Sequence, residues 1–173
     1  MLSENMEVAL LSERLALSCG YSPAMAKMIK WAAEYHDVGK SQLPQNIIRK
    51  PGRLLPHEFE VMKQHTKYGE TLLASIPGER GRVAKQVALM HHEWYNGQGY
   101  WGYKASSLPM FIGIVSVCDV YVALLAKRVY KRKWTENEAQ QYINDRAGLQ
   151  FCPNIVDTFN SIMKGCADCK CFA

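Results

Sequence analysis

The chain has 173 residues, 48% of them hydrophobic, which is the size of one ordinary domain with enough apolar surface to bury a core. Its 21 basic and 16 acidic residues leave a net charge of +5, too small to argue for DNA or RNA wrapping and compatible with an anionic small ligand. The longest apolar run, "MFIGIVSVCDVYVALLA" (110–126), is interrupted by Asp119 and is short for a bilayer span, and no basic-then-apolar leader opens the chain. A cytoplasmic protein without a membrane segment is expected, with its six cysteines reduced rather than paired.

Helical spacing of apolar residues starts in "MEVALLSERLAL", and Cys19-Gly20 closes that helix. Ser22-Pro23 opens a second, "AMAKMIKWAAEY". Lys50-Pro51-Gly52 ends a loop, after which Pro56 and Glu58 start "HEFEVMKQHTKYGETLLASI". "RVAKQVALMHHE" carries the same period, "YNGQGYWGYKASSLP" is the one long irregular stretch, and the apolar run 110–126 follows it. Strand-like alternation is nearly absent, and no repeat or linker breaks the chain. The expectation is a compact all-α bundle of about six or seven helices, with one domain over 1–160 and a cysteine-containing tail over 161–173.

His36 and Asp37 follow "MIKWAAEY" and are expected to project from the last turn of a largely buried helix. Buried charge is costly unless it is paired or bound to a metal. Adjacent helical residues lie about 100° apart, so both side chains reach a groove between them. A carboxylate has two oxygens and can bridge two cations; an imidazole holds one. Lys40, three residues on, stands near the same face, where its ammonium can meet an anionic substrate. His91-His92 repeats the arrangement at the end of "VAKQVALM".

Between the pairs stands His65, and beyond them Asp119 sits in an apolar helix with no basic residue within one helical turn. Each has a plainer reading alone: His65 as a hydrogen-bonded core histidine, either pair as chance, Asp119 as an ion-pair partner or a kink. Taken together, His36, Asp37, His65, His91, His92 and Asp119 are expected to converge from four helices on one point. Nitrogen and oxygen donors without cysteine suit Fe, Mn, Zn, Ni or Co, used as a pair to activate water and hold both oxygens of an in-line phosphoryl displacement. His57 reads as a solvent-side residue.

The ordered motifs "HDVGK", "LPQNIIRKPGRL", a histidine followed by "YG", "HHEWYNGQGYW", "VSVCDVYVALLAKRVYK" and "LQFCPNIVDTF" resemble the HD-GYP branch of the HD-domain metal-dependent phosphohydrolases, from about Leu15 to Phe159. The resemblance implies a helical domain with two or three divalent ions, Fe or Mn first and Zn, Ni or Co next, that hydrolyses cyclic di-GMP to pGpG or GMP in bacterial signalling. It places metal ligands at His36, Asp37, His65, His91, His92 and Asp119, with Asp37 bridging. It places phosphate contacts at Lys40, Arg128 and Lys131, and a signalling partner on the Gly97 to Trp101 loop.

This sequence also departs from the family pattern. No histidine precedes His36, so the first-helix ligand falls to Glu4 or Glu7 as a carboxylate, or its site is lost. Asn96 replaces the aspartate before glycine, and Trp101 replaces the proline of Gly-Tyr-Pro, giving up its fixed φ and changing the loop's shape. Gly113, Val122, Val129 and Cys152 stand where arginine, aspartate, proline and aspartate are usual. These changes support a competing function, a catalytically weak or inactive sensor or scaffold that binds nucleotide or protein. Cys166, Cys169 and Cys171 have metal-like spacing but lack a fourth ligand. Cys19, Cys118 and Trp31 read as packing residues.

Overall fold

A computed structural model describes residues 3–126 and 134–167. Among them are eight α-helices: α1 Glu4–Ser18, α2 Pro23–Glu34, α3 Gln45–Ile48, α4 Pro56–Leu72, α5 Gly78–Met90, α6 Met110–Leu125, α7 Glu136–Asp145 and α8 Pro153–Ala167. Three short 3-10 helices, Val38–Gln42, Leu73–Ser75 and Ala105–Ser107, tighten the connections, and no β-strand occurs among the described residues. The all-α expectation holds.

The helix starts follow local chemistry. Ser22 accepts a hydrogen bond from Met25 N at 3.2 Å with Pro23 in the first turn, the polar cap and preset φ that the sequence announces. At α4, Pro56 fills the first turn while the Glu58 carboxylate reaches back to Leu55 N (2.7 Å) and to Lys50 (2.5 Å). Thr135 and Glu138 form a capping box at α7.

Helix α6 is the centre of the bundle, apolar on every side, with Phe111, Ile112, Ile114, Val115, Val117, Cys118 and Tyr121 all buried. Around it, α1 buries Val8, Leu11 and Leu15, α5 buries Val83 and Val87, and α8 buries Ile155 and Phe159. Small residues let the remaining helices close in: Ala26, Ala32 and Ala33 on α2, with Ala84 and Ala88 on α5, are fully buried. Cys118 is packed in the core as expected, and burial pushes its thiol up to about 12. At the far end, Ile162 is buried and its carbonyl accepts from Arg14 Nη2 at 3.0 Å, so α8 is tied to the core beyond residue 160.

Two of the departures resolve into packing. A Cβ on Gly113 would stand 2.7 Å from Ile155 Cδ1, so α8 occupies the space an arginine would need. Val122 is buried in the core. Val129, Arg128, Lys131, Cys169 and Cys171 lie outside the described residues, as does the side chain of Cys166.

Candidate metal centre

The first pair of donors sits just past a helix rather than on it. Backbone geometry leaves the helix at Tyr35 (φ −107°), so His36 and Asp37 form the turn between α2 and Val38–Gln42. The last carbonyls of a helix have no partner within it. Here Ala33 O, in the last turn, accepts from His36 Nδ1 at 2.6 Å in addition to backbone N–H groups of Tyr35 and His36. At the end of α5, His91 is itself the C-cap, and its Nδ1 donates to Val87 O and Ala88 O at 3.0 and 3.1 Å. Within α4, His65 Nδ1 donates to Met62 O at 2.7 Å. A carbonyl can only accept, so the proton of each ring lies on Nδ1 in its neutral form. Nε2 of all three rings is left with a bare lone pair facing inward.

Those lone pairs converge. His65 Nε2 and His91 Nε2 lie 3.4 Å apart, and Asp37 Oδ1 is 3.3 Å from the first and 3.8 Å from the second. His36 Nε2 stands 3.3 Å from Asp37 Oδ2 and 3.5 Å from Asp119 Oδ1, which gives the lone carboxylate of α6 its partner. Lys40 pairs with Asp37 Oδ2. The donor atoms fall into two groups, each within 4.8 Å: Asp37, His65, His91 and His92, and His36, His91 and Asp119. His91 belongs to both. All six predicted donors are therefore brought together, while Glu4 and Glu7, exposed on α1, enter neither group. From α1, Asn5 Nδ2 donates to Glu34 O at 3.3 Å.

The residues fit a cation. Asp37 Oδ1 is buried without a hydrogen-bond partner, and it faces imidazole nitrogens whose protons are committed elsewhere. Acceptor atoms aimed at one another repel unless a positive charge lies between them. Nitrogen and oxygen donors oriented by backbone carbonyls are what divalent transition metals require of their ligands and of the groups behind them.

The electrostatics point the same way. Burial opposes charge on His36, but the Asp37 and Asp119 carboxylates overcome it and raise the ring to about 10, so without metal it bridges them as a cation. Burial would raise Asp37; the His36 charge and hydrogen bond, with the Lys40 charge, instead hold it well below the usual carboxylate range. Burial, with neighbouring imidazoles, pushes His91 down and takes His92 to about 4, keeping both neutral.

Two glycines set this geometry. A Cβ on Gly39 would meet His65 O at 1.9 Å, so only glycine lets the Val38–Gln42 turn press against α4 and carry Asp37 to His65. A Cβ on Gly99 would meet Glu93 Cα at 2.4 Å. That second contact belongs to a loop the sequence did not explain. The buried Glu93 carboxyl accepts from Trp101 N (2.7 Å) and Tyr103 N (3.0 Å), and the Trp101 indole donates to Thr66 Oγ1 at 3.0 Å under the Lys67 ammonium. Trp101 gives up proline's fixed φ, and it also anchors the loop by contacts of its own. Its N–H makes a bond that proline has no hydrogen to make, and its ring adds a second anchor. Pinned in this way, Tyr100 lies against His92 with ring centroids 4.5 Å apart. Glu93, Thr66 and Tyr100 were missed as functional residues; the glutamate directly after the histidine pair was the available signal.

An all-α bundle with a His-Asp turn and a His-His helix end gathered on one donor cluster defines a class, and the comparisons agree with it. The family model described as "HD domain" matches residues 1–155. The chain is 38% identical over 151 residues to the 3'3'-cGAMP-specific phosphodiesterase 2 of Vibrio cholerae, covering 87% of this chain and 29% of that protein. It is 36% identical over 162 residues to a cyclic di-GMP phosphodiesterase of Thermotoga maritima, covering 93% and 44%. Among solved structures, an HDG"Y"P protein from Bdellovibrio bacteriovorus superposes with a TM-score of 0.71 at 20% identity, over 93% of this chain and 51% of that one, a likeness of fold. The chain belongs to the HD-domain family, as a domain of the HD-GYP type. It spans less than half the length of either curated relative.

Proposed function

We propose that this domain is a metal-dependent phosphodiesterase that hydrolyses cyclic di-GMP, opening the ring to pGpG and releasing GMP on a second cut. The observation that carries the reading is the inward convergence of the buried His65 and His91 Nε2 lone pairs on the orphaned Asp37 Oδ1. Relatives named for cyclic di-GMP and 3'3'-cGAMP hydrolysis support the substrate class. In this reading His65, His92 and Asp37 hold one divalent ion, and His36 and Asp119 the other. His91 belongs to both donor groups, and Asp37 would offer its carboxylate to the ions held there. Fe or Mn is the expected pair. Bound there, such ions supply Lewis acidity toward a phosphoryl oxygen and toward the attacking water.

The chain's own groups do the rest. His65 and His91 are held in one tautomer by backbone carbonyls, so no proton has to be moved within those rings before the site is used. Lys40, about two-fifths exposed, keeps its ammonium at the mouth of the site, where it neutralises phosphate oxygens as charge grows in the transition state. Arg128 and Lys131 complete that electrostatic set. The 3′ oxygen leaves as the phosphorus–oxygen bond breaks. The Gly97 to Trp101 loop is the surface for a signalling partner, and the protein works in the cytoplasm.

The test is turnover of cyclic di-GMP and of 3'3'-cGAMP by protein purified without air and loaded with Fe(II) or Mn(II), with products resolved by chromatography. Hydrolysis of cyclic di-GMP that chelation abolishes and metal restores supports the reading. Metal-replete protein that cleaves neither cyclic dinucleotide overturns it in favour of a binding module.

A further inference from the structure

Phe59 stands in the first turn of α4 with 42% of its surface exposed, a large apolar ring on a helix face that also carries Lys63. Single exposed apolar residues are ordinary and need no purpose. This one is not isolated. Its ring meets Tyr100 in a T-shaped contact, centroids 5.5 Å apart at 84°, and Tyr100 stacks on His92 at 4.5 Å. Aromatic surface therefore runs without interruption from a donor of the metal centre to solvent. The Lys63 ammonium lies 5.8 Å from the Phe59 ring and 5.6 Å from Trp101.

The corner is stiff as well as apolar. Glu93 holds the backbone on both sides of Gly102, Thr66 holds the Trp101 indole, and Tyr100 is trapped between His92 and Phe59. An open aromatic face with a cation alongside is the chemistry that receives a nucleobase next to its phosphate. In a nucleotide the base stands one sugar away from the phosphate; Phe59 stands one ring away from His92.

We propose that Phe59, backed by Tyr100, is the stacking surface for a nucleobase of the bound nucleotide and so determines specificity at this centre. The proposal rests on the centre accepting a phosphodiester, and it adds which residue reads the group attached to that phosphate. Because Phe59 is exposed at the start of its helix, replacing it leaves the buried core and the donor cluster in place.

The experiment measures equilibrium binding of a phosphorothioate analogue of cyclic di-GMP to the metal-loaded chain, to Phe59→Ala and to Phe59→Trp. Stacking on one aromatic residue corresponds to about 5- to 150-fold in affinity, so Phe59→Ala is expected to weaken binding by that factor and Phe59→Trp to retain it. Ribose 5-phosphate, which has no base, is the control probe, and its binding is expected to fall far less in Phe59→Ala. A change of less than about twofold for the dinucleotide analogue, or an equal loss for both probes, overturns the assignment. Wild-type protein that binds the analogue but fails to hydrolyse cyclic di-GMP overturns the phosphodiesterase reading alone, and the Phe59 comparison still decides the stacking surface.

Discussion

Gly39 lies directly against the main chain of His65: a methyl group on its Cα would sit 1.9 Å from the His65 carbonyl oxygen and 2.4 Å from Gly69 N. Backbone cannot step aside as a flexible side chain does. Gly39→Ala is therefore expected to force the His36–Asp37 turn away from α4, at a cost of about 1–3 kcal/mol or more. In a domain of this size each kcal/mol lowers the midpoint by about 2–4 °C, so thermal unfolding reads the effect directly. Elemental analysis of the same protein should show reduced metal content. An alanine variant with wild-type midpoint and full metal would contradict the contact.

His91 is the residue common to both donor groups. Replacing it with alanine is expected to empty both, whereas His92→Ala touches only one. Metal per chain should fall further for His91→Ala, with helix content unchanged in circular dichroism because His91 lies at the cap of α5. Equal metal loss in the two variants would show that the groups are not joined through His91.

Loop closure depends on Glu93. Glu93→Ala removes the acceptor for two backbone N–H groups and is expected to destabilise by about 2–4 kcal/mol, with Trp101 moving toward solvent and its fluorescence shifting to the red. Trp101→Pro, which restores the family residue, is expected to destabilise rather than help, since it deletes both the N–H to Glu93 and the indole bond to Thr66. A stabilised Trp101→Pro protein would show that the tryptophan is a defect, not an anchor.

Without metal, stability should depend on pH in both directions. His36 is raised from 6.5 to about 10, so its stabilising charge is fully present below pH 6.5 and is lost as pH rises through about 10. His92 is lowered from 6.5 to about 4, so its contribution is complete above pH 6.5 and is lost as pH falls toward 4, with His91 acting in the same direction. Denaturant midpoints of chelated protein are expected to peak near pH 6.5 and decline on either side. A midpoint still climbing at pH 9 would mean that His36 is not the cation between Asp37 and Asp119.

Much of this was legible in the chain. The Ser22-Pro23 and Pro56-Glu58 starts were readable because caps are local, acting within three residues of themselves. The six donors were readable because histidine next to aspartate or histidine, beside apolar helix, has few other uses. Helix ends were read less well: His36 and Asp37 were assigned to a last helical turn, yet the helix stops at Glu34 and the two residues form a turn in which the His36 ring bonds back to Ala33 O. The anchoring contacts of Trp101 were not legible because its partners, Glu93 and Thr66, lie 8 and 35 residues away.

The amino-acid sequence by itself determined the helical class, the donor types and the family, since periodicity, residue chemistry and motif order are properties of the linear chain. Only the tertiary structure decided that Asp119 answers His36, that His91 serves two groups, and that Glu93 seats Tyr100 between the centre and Phe59. Those relations are set by how closely α2, α4, α5 and α6 pack, and that closeness depends on volumes such as the missing side chain of Gly39, which acquire meaning only when distant segments touch.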